Sequence, residues 1–227
     1  MSYLFVVAHP DDEVLGGGAT IQKLVANNEE VNVCIICGNA EARTYRPCDD
    51  ELKADIVKSQ KSLGVKRVKA GSFHDSNLNV YPHNDIVRFI ENCIIEFTPT
   101  SIITHHPSDL NADHHVTSVC CMEASRLPQR KTANIPPLRQ LMFMEVLSST
   151  EWAMDTSIHP FRPNLFVEVG SDYLDKKIQA LSQYRGVMRE YPHPRSQECI
   201  RSLSVFRGCQ SGTMYAEAFE VAFRIGL

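Results

Sequence analysis

Short apolar runs alternate with longer amphipathic ones along the whole chain. Residues 3–8, Tyr3-Leu4-Phe5-Val6-Val7-Ala8, are apolar, rich in β-branched and aromatic side chains and too few for a helix, which predicts a buried strand. The stretch 14–27 carries Leu15, Ala19, Leu24 and Val25 at the spacing of one helix face. A second buried strand is predicted over 31–37, ended by Gly38. A helix follows over 49–63, opened by Asp49-Asp50-Glu51 and closed by Gly64, and then a short strand over 65–70. Asn84 is placed to cap a helix reaching Phe97, with Ile86, Phe89, Ile90, Cys93, Ile94 and Phe97 on its apolar face and Pro99 as its stop. A fourth strand is expected at 101–104 and a helix from 113 to 126. Strands at 139–147 and 165–169, helices at 172–184 and 197–210, and a segment 215–223 that closes the domain complete the pattern.

Strand and helix in alternation predict an α/β fold, a single Rossmann-like domain over residues 1–227 with a mainly parallel sheet flanked by helices. Composition narrows the partners. The net charge of -4, without a basic stripe, argues against nucleic acid. No apolar run reaches transmembrane length, so no membrane span is expected; a homo-oligomer stays open. The eight cysteines lack the spacing of a secreted framework, which predicts a soluble, cytoplasmic chain with reduced thiols. Cys34 and Cys37 form a C-x-x-C on an apolar strand, where they are expected to point to opposite faces and pack as small hydrophobes.

Against this background the polar residues collect where strands end. Ala8-His9-Pro10-Asp11-Asp12-Glu13 sits between the first strand and the first helix, at the sheet edge where open α/β folds bind ligands. His9, Asp11 and Asp12 offer two types of metal ligand and a spare carboxylate, a set that suits zinc or another divalent first-row metal. Acidic residues in a first helical turn are also ordinary capping chemistry; the His-Pro in front of them favours the site. The fourth strand ends in a second cluster, His105-His106-Pro107-Ser108-Asp109-Leu110-Asn111-Ala112-Asp113-His114-His115. Four histidines in eleven residues are hard to account for as packing. If strands one and four are neighbours, His114 faces His9 and Asp12 and completes a two-histidine, one-carboxylate set.

Three further stretches carry candidate chemistry. Arg43 and Arg46 follow the second strand and are placed to hold an anionic or hydroxyl-rich substrate, or to be a solvated pair. Gly16-Gly17-Gly18 lacks the spacing of a nucleotide-binding loop and fits close helix packing. His193, between two prolines in Tyr191-Pro192-His193-Pro194-Arg195-Ser196, suits a positioned catalytic histidine and equally a structural turn.

At the two polar clusters the chain resembles the LmbE-like (PIG-L) family of zinc-dependent N-acetyl amino-sugar deacetylases. Ala8-His9-Pro10-Asp11-Asp12-Glu13 is similar to its first motif, and Asn111-Ala112-Asp113-His114 to its second, usually His-x-Asp-His. The resemblance implies that His9, Asp12 and His114 hold zinc, that Asp11 is the general base, and that Asp113 orients a neighbouring group. It implies a small-molecule partner, an N-acetylated amino sugar or its conjugate. Asn111 stands where the family commonly has a histidine, as acid or oxyanion stabiliser. His193 is the first substitute for that acid, followed by His106 and His115, while Asn111 keeps the capacity to donate a hydrogen bond to substrate or oxyanion. A metal-dependent amidase or deformylase on a non-sugar amide, and a non-catalytic sugar- or nucleotide-binding module, are the competing readings.

Overall fold

The computed structural model describes residues 1–39, 46–130, 135–156 and 159–226. Among these, strands β1 (Ser2–Val7), β2 (Glu30–Cys37), β3 (Arg67–Phe73), β4 (Ser101–His105), β5 (Gln140–Met144), β6 (Leu165–Glu168) and β7 (Ala216–Arg224) form one sheet in the order β3-β2-β1-β4-β5-β7-β6. The first five are parallel, and β7 runs antiparallel between β5 and β6. The mainly parallel α/β fold is therefore as expected. The segment 215–223, expected only to close the domain, is an inserted strand of the sheet.

Alternation along each buried strand feeds two cores. Tyr3, Phe5 and Val7 of β1 and Val33 and Ile35 of β2 join the core under helices α1 (Asp12–Ala26), α2 (Asp49–Leu63), α6 (Ser171–Ser182) and α7 (Gln197–Ser211). Leu4 and Val6 with Cys34 and Ile36 join the opposite core, under α3 (His83–Phe97), α4 (Ala112–Ala124) and the short α5 (Leu127–Arg130). Both faces are covered, as parallel sheets require. Cys37 corrects an expectation. It lies in the same core as Cys34: it is the last residue of β2, where the pairing with β3 has already shifted after Ile35, and strict alternation does not hold to the strand's end.

Gly64 ends α2 in the left-handed conformation at φ 78°, the role expected of it. The triple glycine serves close packing, as read. A Cβ on Gly16 would stand 2.4 Å from Met144 Sδ, and one on Gly17 2.6 Å from Phe5 Cε1. Helix α1 breaks at Gly17 (φ -154°, ψ 17°), and two buried charges mend the break. Lys177 Nζ donates to Leu15 O at 2.8 Å and to Glu217 Oε1 at 2.6 Å, while Glu217 accepts from the N–H groups of Ala19 and Thr20. Strands β1 and β4 are direct neighbours, Val6 pairing with Thr104. That adjacency sets the turn after β1 beside the loop after β4.

Candidate metal centre

The turn after β1 is pinned from both sides. Ala8 N–H donates to His105 Nε2 at 2.8 Å, and Ala8 O accepts from Cys37 N at 2.8 Å. Asp11 then takes φ 119°, a conformation that costs an L residue on the order of 1–3 kcal/mol. It leads directly into α1, whose first turn presents Asp12 and Glu13. The other half begins at Asn111, whose side-chain oxygen caps α4 by accepting from Asp113 N (2.9 Å) and His114 N (3.4 Å). Asp113 and His114 thus project from the first turn of α4 toward α1.

Three donor atoms converge there. His9 Nδ1 and His114 Nε2 are 3.2 Å apart, and Asp12 Oδ2 lies 3.3 Å from the first and 3.2 Å from the second. Metal-to-ligand distances of about 2.0–2.1 Å in a tetrahedral site give edges of roughly 3.3–3.4 Å. The far nitrogen of each ring decides the chemistry. His9 Nε2 is 3.0 Å from Asp113 Oδ2, and His114 Nδ1 is 3.2 Å from Asp109 Oδ2. Burial raises the pKa of Asp113 and Asp109, but the facing histidines bring both below the usual carboxylate value, so these oxygens only accept. Each far nitrogen therefore keeps its proton. The near nitrogens then meet Asp12 Oδ2 either with a second proton on each ring or, in neutral rings, as bare acceptors that a shared cation would satisfy. The three atoms could hold a metal ion, and carboxylate-histidine pairs of this kind stand behind metal sites.

The electrostatics say the same. Burial pulls both imidazoles down, yet Asp12 and Asp109 carry His114 up to about 10, and Asp113 and Asp12 carry His9 up to about 8. Asp12 itself, despite burial, is held well below the usual carboxylate range by His114 and His9. The cluster draws in positive charge. His105, stacked on His114 with ring centroids 3.9 Å apart, is driven the other way by burial and by His114, to about 3, and stays neutral.

The expected residues divide. His9, Asp12, His114 and Asp113 are brought together, with the buried Asp11 next in the chain. Asn111 shapes the helix that carries two of them. His193 is exposed, and its Nδ1 accepts from Arg195 N–H at 3.0 Å; burial and the neighbouring arginines lower its pKa. The side chain of that run that reaches the centre is Arg195, with Nη1 3.6 Å from Asp11 Oδ2 and Nε donating to Ser148 Oγ at 2.8 Å. His106 faces Glu220 Oε2 at 3.4 Å, and His115 Nδ1 is 2.6 Å from Pro107 O. Arg46 is exposed, and Arg43 lies outside the described residues. Sequence reasoning missed Arg195 and Asp109. For Asp109 a signal existed, since a ligand histidine needs a partner for its second nitrogen; Asp109 also accepts from Ser149 Oγ (3.1 Å) and Thr150 Oγ1 (2.6 Å).

Residues 4–125, more than half of the chain, match the family PIG-L: GlcNAc-PI de-N-acetylase. The protein named Probable N-acetyl-alpha-D-glucosaminyl L-malate deacetylase 2 of Bacillus anthracis is 25% identical over 190 residues, covering 80% of this chain and 79% of that protein. The fold is similar to that of N,N'-diacetylchitobiose deacetylase from Pyrococcus horikoshii (TM-score 0.78, 19% identity, 97% of this chain and 83% of that one). It is equally similar to that of GalB, the 4-carboxy-2-hydroxymuconate hydratase of Pseudomonas putida KT2440 (TM-score 0.80, 18% identity, 100% and 98%). A shared fold thus accompanies different chemistries.

Proposed function

This chain belongs to the PIG-L family, and on that footing we propose that it is a hydrolase that removes the acetyl group from an N-acetylated amino sugar or its conjugate. His9, Asp12 and His114 would hold one zinc ion through the three converging atoms. The observation that carries this reading is the convergence of His9 Nδ1, Asp12 Oδ2 and His114 Nε2 to within 3.2–3.3 Å of one another, each histidine backed by a further carboxylate, next to a buried Asp11 that is not one of the three.

An amide carbonyl is a poor electrophile and water a poor nucleophile; a divalent ion bound at this triad supplies Lewis-acid polarisation and a more acidic water. The protein's groups do the rest. Asp11 is the general base: it takes the proton of the attacking water and returns it to the departing amine nitrogen. Asp113 and Asp109 fix the tautomer and orientation of His9 and His114. Arg195 presents a positive charge to Asp11, and the Asn111 amide, with its oxygen committed to the helix cap, keeps N–H groups for substrate or oxyanion. Arg43 and Arg46 are assigned to the sugar hydroxyls or an attached anionic group, and His193, exposed on the 191–196 run, to the rim of the site.

The test is acetate release from N-acetylglucosaminides, N,N'-diacetylchitobiose among them, by zinc-loaded protein and by Asp11→Asn. The reading requires release by the parent and a kcat lowered by about 100- to 10,000-fold in the variant, with zinc retained. Release of formate, or of acid only from non-sugar amides, would replace it by the amidase reading. Tight sugar binding without turnover would replace it by a binding module.

A further inference from the structure

Glu13 belongs to the first polar motif, yet it does not join the metal triad. It is completely buried in the first turn of α1. First-turn acids that serve only as caps lie at the surface, where the carboxylate stays hydrated, whereas a buried carboxylate must be matched by donors. Glu13 has three. Its Oε2 accepts from the backbone N–H of Asp11 at 3.2 Å, and its Oε1 accepts from Tyr184 Oη at 2.7 Å and from Gln60 Nε2. Tyr184 Oη and Gln60 Nε2 are themselves 3.0 Å apart. Tyr184 follows α6 and Gln60 sits on α2, so two helices remote in sequence converge on one carboxylate. What that carboxylate holds is the amide of the residue with φ 119°, a backbone conformation that an L side chain is unwilling to adopt.

We infer that Glu13, itself held by Tyr184 and Gln60, is the positioning residue for Asp11: it locks the strained backbone that aims the Asp11 carboxylate at the water beside the metal triad. This rests on the reading of Asp11 as the base. The geometry separates two tasks within three consecutive acids, with Asp12 as ligand, Asp11 as base and Glu13 as the clamp on the base. Loss of the clamp lowers the effectiveness of the base without changing the triad or the substrate's binding surface.

The experiment compares Tyr184→Phe, Glu13→Gln and Asp11→Asn in zinc-loaded protein with N,N'-diacetylchitobiose as probe, and follows the Asp11 backbone amide by hydrogen exchange in NMR. Tyr184→Phe keeps the ring and its packing, so it preserves the fold if Glu13→Gln does not. The inference expects kcat down about 10-fold in Tyr184→Phe and about 100-fold in Glu13→Gln, with KM within about two-fold and zinc content unchanged. It expects exchange at the Asp11 amide to speed up at least about tenfold in both, while the His9 amide, bound to Asp12 Oδ2, keeps its parent rate. Unchanged kcat in both variants beside an inactive Asp11→Asn overturns the clamp alone. An active Asp11→Asn overturns the base reading with it. A fall in kcat that tracks lost zinc, or exchange at Asp11 equal to the parent's, also overturns the clamp, and the exchange result decides if the probe is not turned over.

Discussion

Two charged clusters meet helix α1, and they are built on opposite principles. The pair Lys177–Glu217 is closed. Its side chains are only 4% and 5% exposed, the ammonium meets the carboxylate at 2.6 Å, and the remaining capacity is spent on Leu15 O and on the amides of Ala19 and Thr20 freed by the break at Gly17. The triad His9, Asp12 and His114 is open. Its outward-facing ring nitrogens are matched by Asp113 and Asp109, but its inward-facing atoms form a triangle 3.2–3.3 Å on a side that only protons or a cation can share. Burial of polar groups is therefore not the mark of a site. The mark is a set of groups satisfied on every side but one, with that side shared.

The contrast can be broken first at the closed pair. Lys177→Met leaves Glu217 buried without its cation and is expected to cost about 3–5 kcal/mol of stability in denaturant unfolding. Metal stoichiometry in the surviving folded protein should stay at the parent value. A loss of metal at full stability would show that the pair belongs to the centre after all.

A smaller effect is expected one layer behind the triad. Asp109→Asn keeps the contacts with Ser149 and Thr150 but exchanges an obligatory acceptor for an amide, so the His114 tautomer is no longer dictated. Competition with a chelator should show zinc affinity reduced about 10- to 100-fold. Unchanged affinity would reduce Asp109 to a loop anchor.

The gentlest test is pH. In the metal-free protein the carboxylates, against the pull of burial, raise His9 to about 8 and His114 to about 10 from an ordinary 6.5. A histidine whose pKa is higher folded than unfolded contributes stability that is complete below the unfolded value and is lost as pH rises through the folded value. Metal-free protein should accordingly lose thermal stability between pH 6.5 and about 10. Metal on the same nitrogens replaces those protons, so the gap in Tm between metal-loaded and metal-free protein should widen over that range. A gap that is constant across it would contradict the open triangle.

The open cluster was far more legible in the sequence than the closed one, and the reason is topological. His9, Asp11 and Asp12 follow one parallel strand and Asp113 and His114 another, and parallel strands deliver their following turns to a common edge. The partners of the closed pair come from α6 and β7, and nothing local to Lys177 or Glu217 announces the break in α1 that they mend. Arg195 was hidden for a different reason. In the run 191–196 the eye falls on the histidine between prolines, but the turn directs the arginine inward and leaves His193 at the surface. Cys37 was misplaced because a strand irregularity is invisible to a period-two pattern.

Metal content per folded chain, after dialysis against zinc and removal of excess, bears most directly on the open triangle. The account predicts about one zinc per chain in the parent and in Lys177→Met, and less than about a tenth of that in Asp12→Ala and His114→Ala. Full occupancy in both of the latter, or none in the parent, would contradict it.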